Sequence, residues 1–114
     1  QLNQWHVVKY NSVLIQKIAD DFGVTAKPRF YFHAPFFELP EHVDYNTTCS
    51  INLVLSDDPA PVTIGGRELV YKQCLLNTTI PHSVKNGPKE RILLKLSIFD
   101  ISFEELAGQI RYRV

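Results

Sequence analysis

In RILLKLSIF (91–99), Ile92, Leu94, Leu96 and Ile98 fall at every second position, while Leu93 and Phe99 share the other face with Arg91 and Lys95. A period of two is the mark of a β-strand, and a second face that is only partly polar predicts a central strand covered on both sides. PVTI and RELV (61–70) are separated by Gly65-Gly66. That pair accepts the positive φ needed at both central positions of a type I′ hairpin, so Val62 should face Leu69 and Ile64 should face Arg67. Asn86-Gly87 marks another turn, but Pro88 lacks the N–H that would close a two-residue loop, which predicts a longer or bulged connection. QIRYRV (109–114) alternates as well, Ile110, Tyr112 and Val114 against Gln109, Arg111 and Arg113, and reads as the last strand.

Helical signals are fewer. NSVLIQKIADDFG (11–23) has a capping residue at Asn11 or Ser12, Leu14, Ile15, Ile18 and Phe22 along one side, and Gly23 as terminator, which predicts one amphipathic helix. Ser102 followed three residues later by Glu105 matches a capping box, so SFEELAG (102–108) is expected to form a single helical turn ended by Gly108 and joining the last two strands. The fold class that follows is mainly β (α+β): an antiparallel β-sandwich or curved sheet with one N-terminal amphipathic helix and a short helical turn near the C-terminus. A chain of 114 residues forms one domain, 1–114, with a single core.

The densest chemistry lies in RFYFHAPFFELP (29–40), where five aromatic rings occupy positions 30 to 37. In a strand, Phe30 and Phe32 point to one face as core anchors and Arg29, Tyr31 and His33 point to the other. Phe36 and Phe37 are adjacent between Pro35 and Pro40 and would diverge in an extended chain, leaving one of them exposed. The candidate binding surface is therefore the stretch from His33 to Tyr45 with its neighbour Tyr31. It comprises Tyr31, His33, Phe36, Phe37, Glu38 and His42, with Glu41 and Asp44 beside them.

Charge and composition narrow the partners. Twelve basic residues balance twelve acidic ones, which leaves no basic field for nucleic acid, and no stretch approaches the roughly 20 apolar residues of a membrane span. The chain starts at Gln1 and contains no methionine, as expected of a processed or excised piece. Cys49 and Cys74 each lie near an Asn-x-Thr acceptor, at Asn46 and Asn77, which predicts one Cys49–Cys74 disulfide and a glycosylated, secreted or virion-associated domain. Two buried free thiols in an intracellular protein would carry the same residues.

No nucleophile elbow, phosphate-binding glycine loop or dinucleotide fingerprint is present. His6, His33, His42 and His82 have no metal-ligand spacing, and Glu41, His42 and Asp44 read as solvated loop residues. Neither a cofactor nor a metal is assigned. No motif carries a family resemblance. The functional expectation is a non-enzymatic module that binds another protein. A self-associating structural protein, such as a viral matrix or capsid component, is the alternative, and a carrier of an apolar ligand between helix and sheet is the third option.

Overall fold

Both faces of the strand at 91–98 are covered, and the architecture follows from that requirement. The computed structural model describes residues 5–9, 16–17, 20–21, 23–57 and 61–113. Its strands are β1 (Trp5–Lys9), β2 (Ala26–His33), β3 (Glu38–His42), β4 (Cys49–Val54), β5 (Val62–Ile64), β6 (Arg67–Leu69), β7 (Gln73–Leu76), β8 (His82–Lys85) and β9 (Arg91–Ile98). They are followed by one helix, α1 (Phe103–Arg113). The strands form two antiparallel sheets, β1-β2-β9-β4-β7 and β3-β8-β5-β6, with β9 central in the first. The expected β-sandwich is therefore present.

The two faces of β9 meet different neighbours. Leu94 and Leu96 pack with Ala26, Phe30, Ile51 and Leu53, while Ile98 joins Val24, Cys49 and Leu106 of α1. Burying a side chain such as Leu96 or Ile98 stabilises the fold by about 1.5–3 kcal/mol. On the other face, Arg91 and Leu93 are buried and Lys95 is half-buried, turned toward the second sheet. Phe30 and Phe32 lie on the apolar face of β2, opposite Leu94 and Ile92, as the alternation requires.

The chain passes between the sheets six times, and two of these crossovers are bonded to each other. Residues 34–37 turn from β2 into β3, with Phe37 N–H donating to Ala34 O at 3.1 Å and Phe36 N–H to Gly87 O at 2.8 Å. The return from β8 to β9 passes through Asn86, whose side-chain amide donates to His33 O and Ala34 O and whose N–H donates to Phe37 O. One buried asparagine thus ties both crossovers together. The turn holds Phe36 at φ 61°, 66% exposed, and drives Phe37 inward to 6%.

Two expectations are corrected, and a third lies mostly outside the described residues. The final strand is helix. Ser102 caps it as predicted, its Oγ accepting from Glu105 N–H at 3.1 Å, but α1 runs through Gly108 to Arg113 instead of stopping after one turn. Each further helical residue adds one backbone hydrogen bond, whereas a new strand needs a free sheet edge. The Cys49–Cys74 disulfide is absent, and both thiols are free. Cys74 pairs with Asn52, three residues along β4 from Cys49. That is roughly 10 Å of strand, and the odd offset puts the thiols on opposite sheet faces. The N-terminal helix over 11–22 falls mostly outside the described residues and is not delineated by them. Of the four that are described, Gln16 bonds Asp20 and Lys17 pairs with Asp21 at helical i,i+4 spacing.

The Gly65-Gly66 hairpin has the expected register, Val62 opposite Leu69 and Ile64 opposite Arg67, with φ of 55° and 81° at the two glycines. Gly65 N–H donates to Pro81 O, so the turn braces the segment entering β8. At the second acceptor site, Asn77 Oδ1 takes hydrogen bonds from Thr79 N–H and Oγ1, so the tripeptide builds a turn.

A side chain at Gly66 meets open space, so the cost of one is purely that of the left-handed backbone. Gly66→Val should lose ~1 kcal/mol or more in chemical denaturation, and Gly66→Asn clearly less. By the same measurement Phe37→Ala should lose about 3–5 kcal/mol. Phe36→Ala should stay within about 0.5 kcal/mol of the parent.

Candidate metal centre

The interior between the sheets holds a cavity of about 230 Å³, lined by Tyr31, His33 and Phe37 at one side, His42, Asp44 and His82 at another, and Asn52, Tyr71, Arg91 and Lys95 from the first sheet. Its composition follows from strand alternation. Tyr31 faces Leu93 and His33 faces Arg91 across β2 and β9, so every second residue of both strands enters the same space.

His42 and His82 are register partners on β3 and β8. Between Leu39 and His42 the register shifts, because Pro40-Glu41 places an extra residue in β3. Such a bulge re-aims the side chains that follow it. The two rings come to 4.3 Å between centroids. Each imidazole is held in the same way: Nδ1 of His42 lies 2.8 Å from Pro40 O, and Nδ1 of His82 lies 2.8 Å from Ile80 O. A carbonyl accepts only, so each Nδ1 carries the hydrogen and each neutral ring offers its Nε2 lone pair.

Both Nε2 atoms point at one oxygen. His42 Nε2 is 3.3 Å and His82 Nε2 3.4 Å from Asp44 Oδ1, while Lys95 Nζ donates to Asp44 Oδ2 at 2.9 Å. Asp44 is fixed by its own N–H, which donates to Thr78 O. Burial pushes its carboxyl up, but the hydrogen bond from His82 and the Lys95 ammonium outweigh it and hold Asp44 well below the usual range. When the ring is protonated its Nε2–H donates to Asp44, and that bond raises His82 against its burial. One ligand atom from each of His42, Asp44 and His82 lies within 4.8 Å of the others. Two imidazole nitrogens and one carboxylate oxygen, each imidazole oriented by a backbone carbonyl, form a donor set that fits a divalent first-row cation and leaves coordination positions open.

The opposite wall is polar too. Arg91, 2% exposed, donates from Nη2 to Tyr71 Oη at 2.9 Å, and Asn52 Nδ2 donates to the same oxygen at 3.1 Å. Ser50 Oγ in turn donates to Asn52 Oδ1. Having accepted twice, the Tyr71 hydroxyl keeps its own hydrogen for a ligand. Among the described residues Asp44 is the only carboxylate in the lining, facing the cations Arg91 and Lys95.

Of the residues expected to form a binding surface, Tyr31, His33, Phe37 and His42 converge in this cavity. Phe36 points to solvent, and Glu38 is exposed at the start of β3 opposite Lys85. Asp44 entered the sequence reading only as a solvated neighbour, and His82, Arg91 and Lys95 were not assigned to a site. The available signal was the spacing His42-x-Asp44, which in an extended chain puts both on one side.

His33 stacks on Phe37 with ring centroids 4.7 Å apart, and burial together with the charges of Arg91 and Lys95 lowers its pKa to about 4. Above pH 6.5 it is neutral folded or unfolded and adds no pH dependence. As pH falls from 6.5 to about 4 the unfolded chain takes up the proton first, so stability is lost across that window, by roughly 3 kcal/mol at most. His33→Gln should flatten the fall in Tm between pH 6.5 and 4; equal slopes in both proteins would exclude a buried neutral His33.

No family model matches this sequence, and no curated protein matches it. Solved structures do. A predicted oxalate decarboxylase from Thermotoga maritima superposes with TM-score 0.61 at 15% identity, over 83% of this chain and 80% of that one. An RmlC-like cupin protein from Desulfovibrio desulfuricans gives 0.56 at 12% identity, over 82% of each chain. An oxalate oxidase in complex with the substrate analogue glycolate gives 0.57 at 15%, over 87% of this chain and 52% of the other. These neighbours overturn the functional expectation of a non-enzymatic protein-binding module, a self-assembling structural protein or an apolar-ligand carrier. The open space lies between the two sheets, and its lining carries His33, His42, Asp44, His82, Arg91 and Lys95 among apolar side chains. What this chain shares with them is the fold, a cupin-like antiparallel β-sandwich.

Proposed function

We propose that this chain is a metal-dependent enzyme acting on a small carboxylate-bearing substrate held between the two sheets. The observation that carries the reading is the convergence of His42, Asp44 and His82, each imidazole fixed by a backbone carbonyl with its free nitrogen toward the Asp44 carboxylate. These three residues hold the cation. Lys95 keeps Asp44 Oδ2 engaged, leaving Oδ1 for the metal. A divalent metal there supplies Lewis-acid polarisation of a coordinated substrate oxygen.

The substrate class follows from charge and size. Arg91 and the Tyr71 hydroxyl stand across the cavity from the three ligands and suit a carboxylate, which a guanidinium binds with two parallel hydrogen bonds. About 230 Å³ is below the roughly 300–1,000 Å³ of pockets for drug-sized ligands, so the reacting part is a small acid. Leu39, Val62, Leu76, Val84 and Leu93 form the apolar remainder of the lining and exclude water. The activities named for the decarboxylase and the oxidase neighbours, both directed at oxalate, are compatible with this class.

Metal-stripped protein titrated anaerobically with Fe(II), and separately with Mn(II), should bind one equivalent with a rise in Tm. Asp44→Ala and His82→Ala should each weaken binding by about 100-fold or more. Stoichiometric binding that survives both substitutions, or no binding at all, would remove the metal from the proposal.

A further inference from the structure

A second space adjoins the first. A groove of about 460 Å³ opens on the outer side of Tyr31, Asp44 and Lys95, residues that also line the inner cavity, so the two meet at the carboxylate ligand. Its floor is the end of β2 and β9 that carries Lys27, Arg29, Lys95 and Ser97 on one face.

The placement of charge there is costly to the fold. Arg29 stands directly opposite Lys95, and like charges across neighbouring antiparallel strands are destabilising. The register carries the row of basic positions one strand further, to Lys9 of β1. Lys27 lies two residues from Arg29 on the same side, its Nζ over the Phe99 ring at 5.2 Å. Among the described residues Arg29 has no ion-pair partner, and the only carboxylate lining the groove, Asp44, is engaged by Lys95 and the two histidines. With Asp44 shared between Lys95 and the histidines, the row of cations outnumbers the carboxylates that line the groove, an arrangement suited to an anion from outside.

We infer that this groove binds a phosphate group of the substrate, with Arg29 and Lys27 as its recognition residues, while the rest of the molecule reaches past Tyr31 to the metal centre. Two or three cations with the Ser97 hydroxyl match a dianion with several acceptor oxygens better than a second carboxylate. The inference rests on the enzymatic reading above and names its substrate more closely: a small acid that is also phosphorylated.

The test uses inorganic phosphate and the full chain loaded with Mn(II). Paramagnetic broadening of the phosphate phosphorus resonance reports binding near the metal, and water-proton relaxation reports Mn(II) occupancy independently. Phosphate should bind saturably to the parent, and Arg29→Gln and Lys27→Gln should each weaken it about tenfold with unchanged Mn(II) occupancy. Arg67→Gln, on the exposed edge of the other sheet, should change nothing. Intact Mn(II) binding with no phosphate effect, or equal losses in Arg29→Gln and Arg67→Gln, overturns the groove and leaves the metal centre standing. Failure of Mn(II) to bind, with a phosphate titration of the metal-free protein still sensitive to Arg29→Gln, overturns the metal centre and leaves the groove. A short single-stranded oligonucleotide that binds more than tenfold tighter than phosphate overturns the small-substrate form of the inference.

Discussion

Side chains on a strand alternate, so a slip of β9 by one residue against β2 and β4 would exchange its two faces entirely. Ile92, Leu94, Leu96 and Ile98 would enter the space between the sheets, and Arg91, Leu93 and Lys95 would lie on the face that now carries the apolar clusters and α1. Burying Arg91 and Lys95 costs several kcal/mol of desolvation for each ion, offset here by Tyr71 and Asp44. The native register keeps the apolar face against apolar partners and gathers the charged groups where they can meet one another. Cavity, metal donors and groove all derive from that one alignment.

The second sheet is held over this face by hydrogen bonds made at the crossovers. Asn86 reaches His33, Ala34 and Phe37 at once, so the exit from β2 and the entry to β9 are fixed relative to each other. The geometry of β3 and β8 follows. Phe37 packs on His33, the bulge at Pro40-Glu41 turns His42 toward His82, and the Gly65 hairpin supports the start of β8 through Pro81. The donor atoms are thus set by backbone contacts at a distance from them, which suits a centre that must keep its shape before a ligand arrives.

The aromatic stretch at 29–40 divides according to this framework. Phe30 and Phe32 face the apolar side, Tyr31, His33 and Phe37 enter the cavity, and Phe36 is left in solvent by its left-handed turn. Alternation predicted the first separation because it is local. The fate of Phe36 and Phe37 depended on Asn86 and Gly87, some fifty residues away, whose hydrogen bonds close the turn.

The sequence alone determined the features whose cause lies within a few residues: the period of two in β9, the glycine pair that turns β5 into β6, and the Ser102 cap that starts α1. QIRYRV misled because alternation over six residues is compatible with either structure, and a helix already started continues at the cost of one glycine, about 1 kcal/mol. The cysteines misled because proximity in a sheet depends on register, which local spacing does not encode. The centre was partly legible. His42 and Asp44 stand two residues apart, but His82 follows forty positions later and Arg91 and Lys95 read as the polar side of a strand. Only the pairing of β3 with β8, the bulge between them and the closure of one sheet over the other brought these groups within ligand distance, because non-local hydrogen bonding, and not side-chain type, decides which polar groups share an interior.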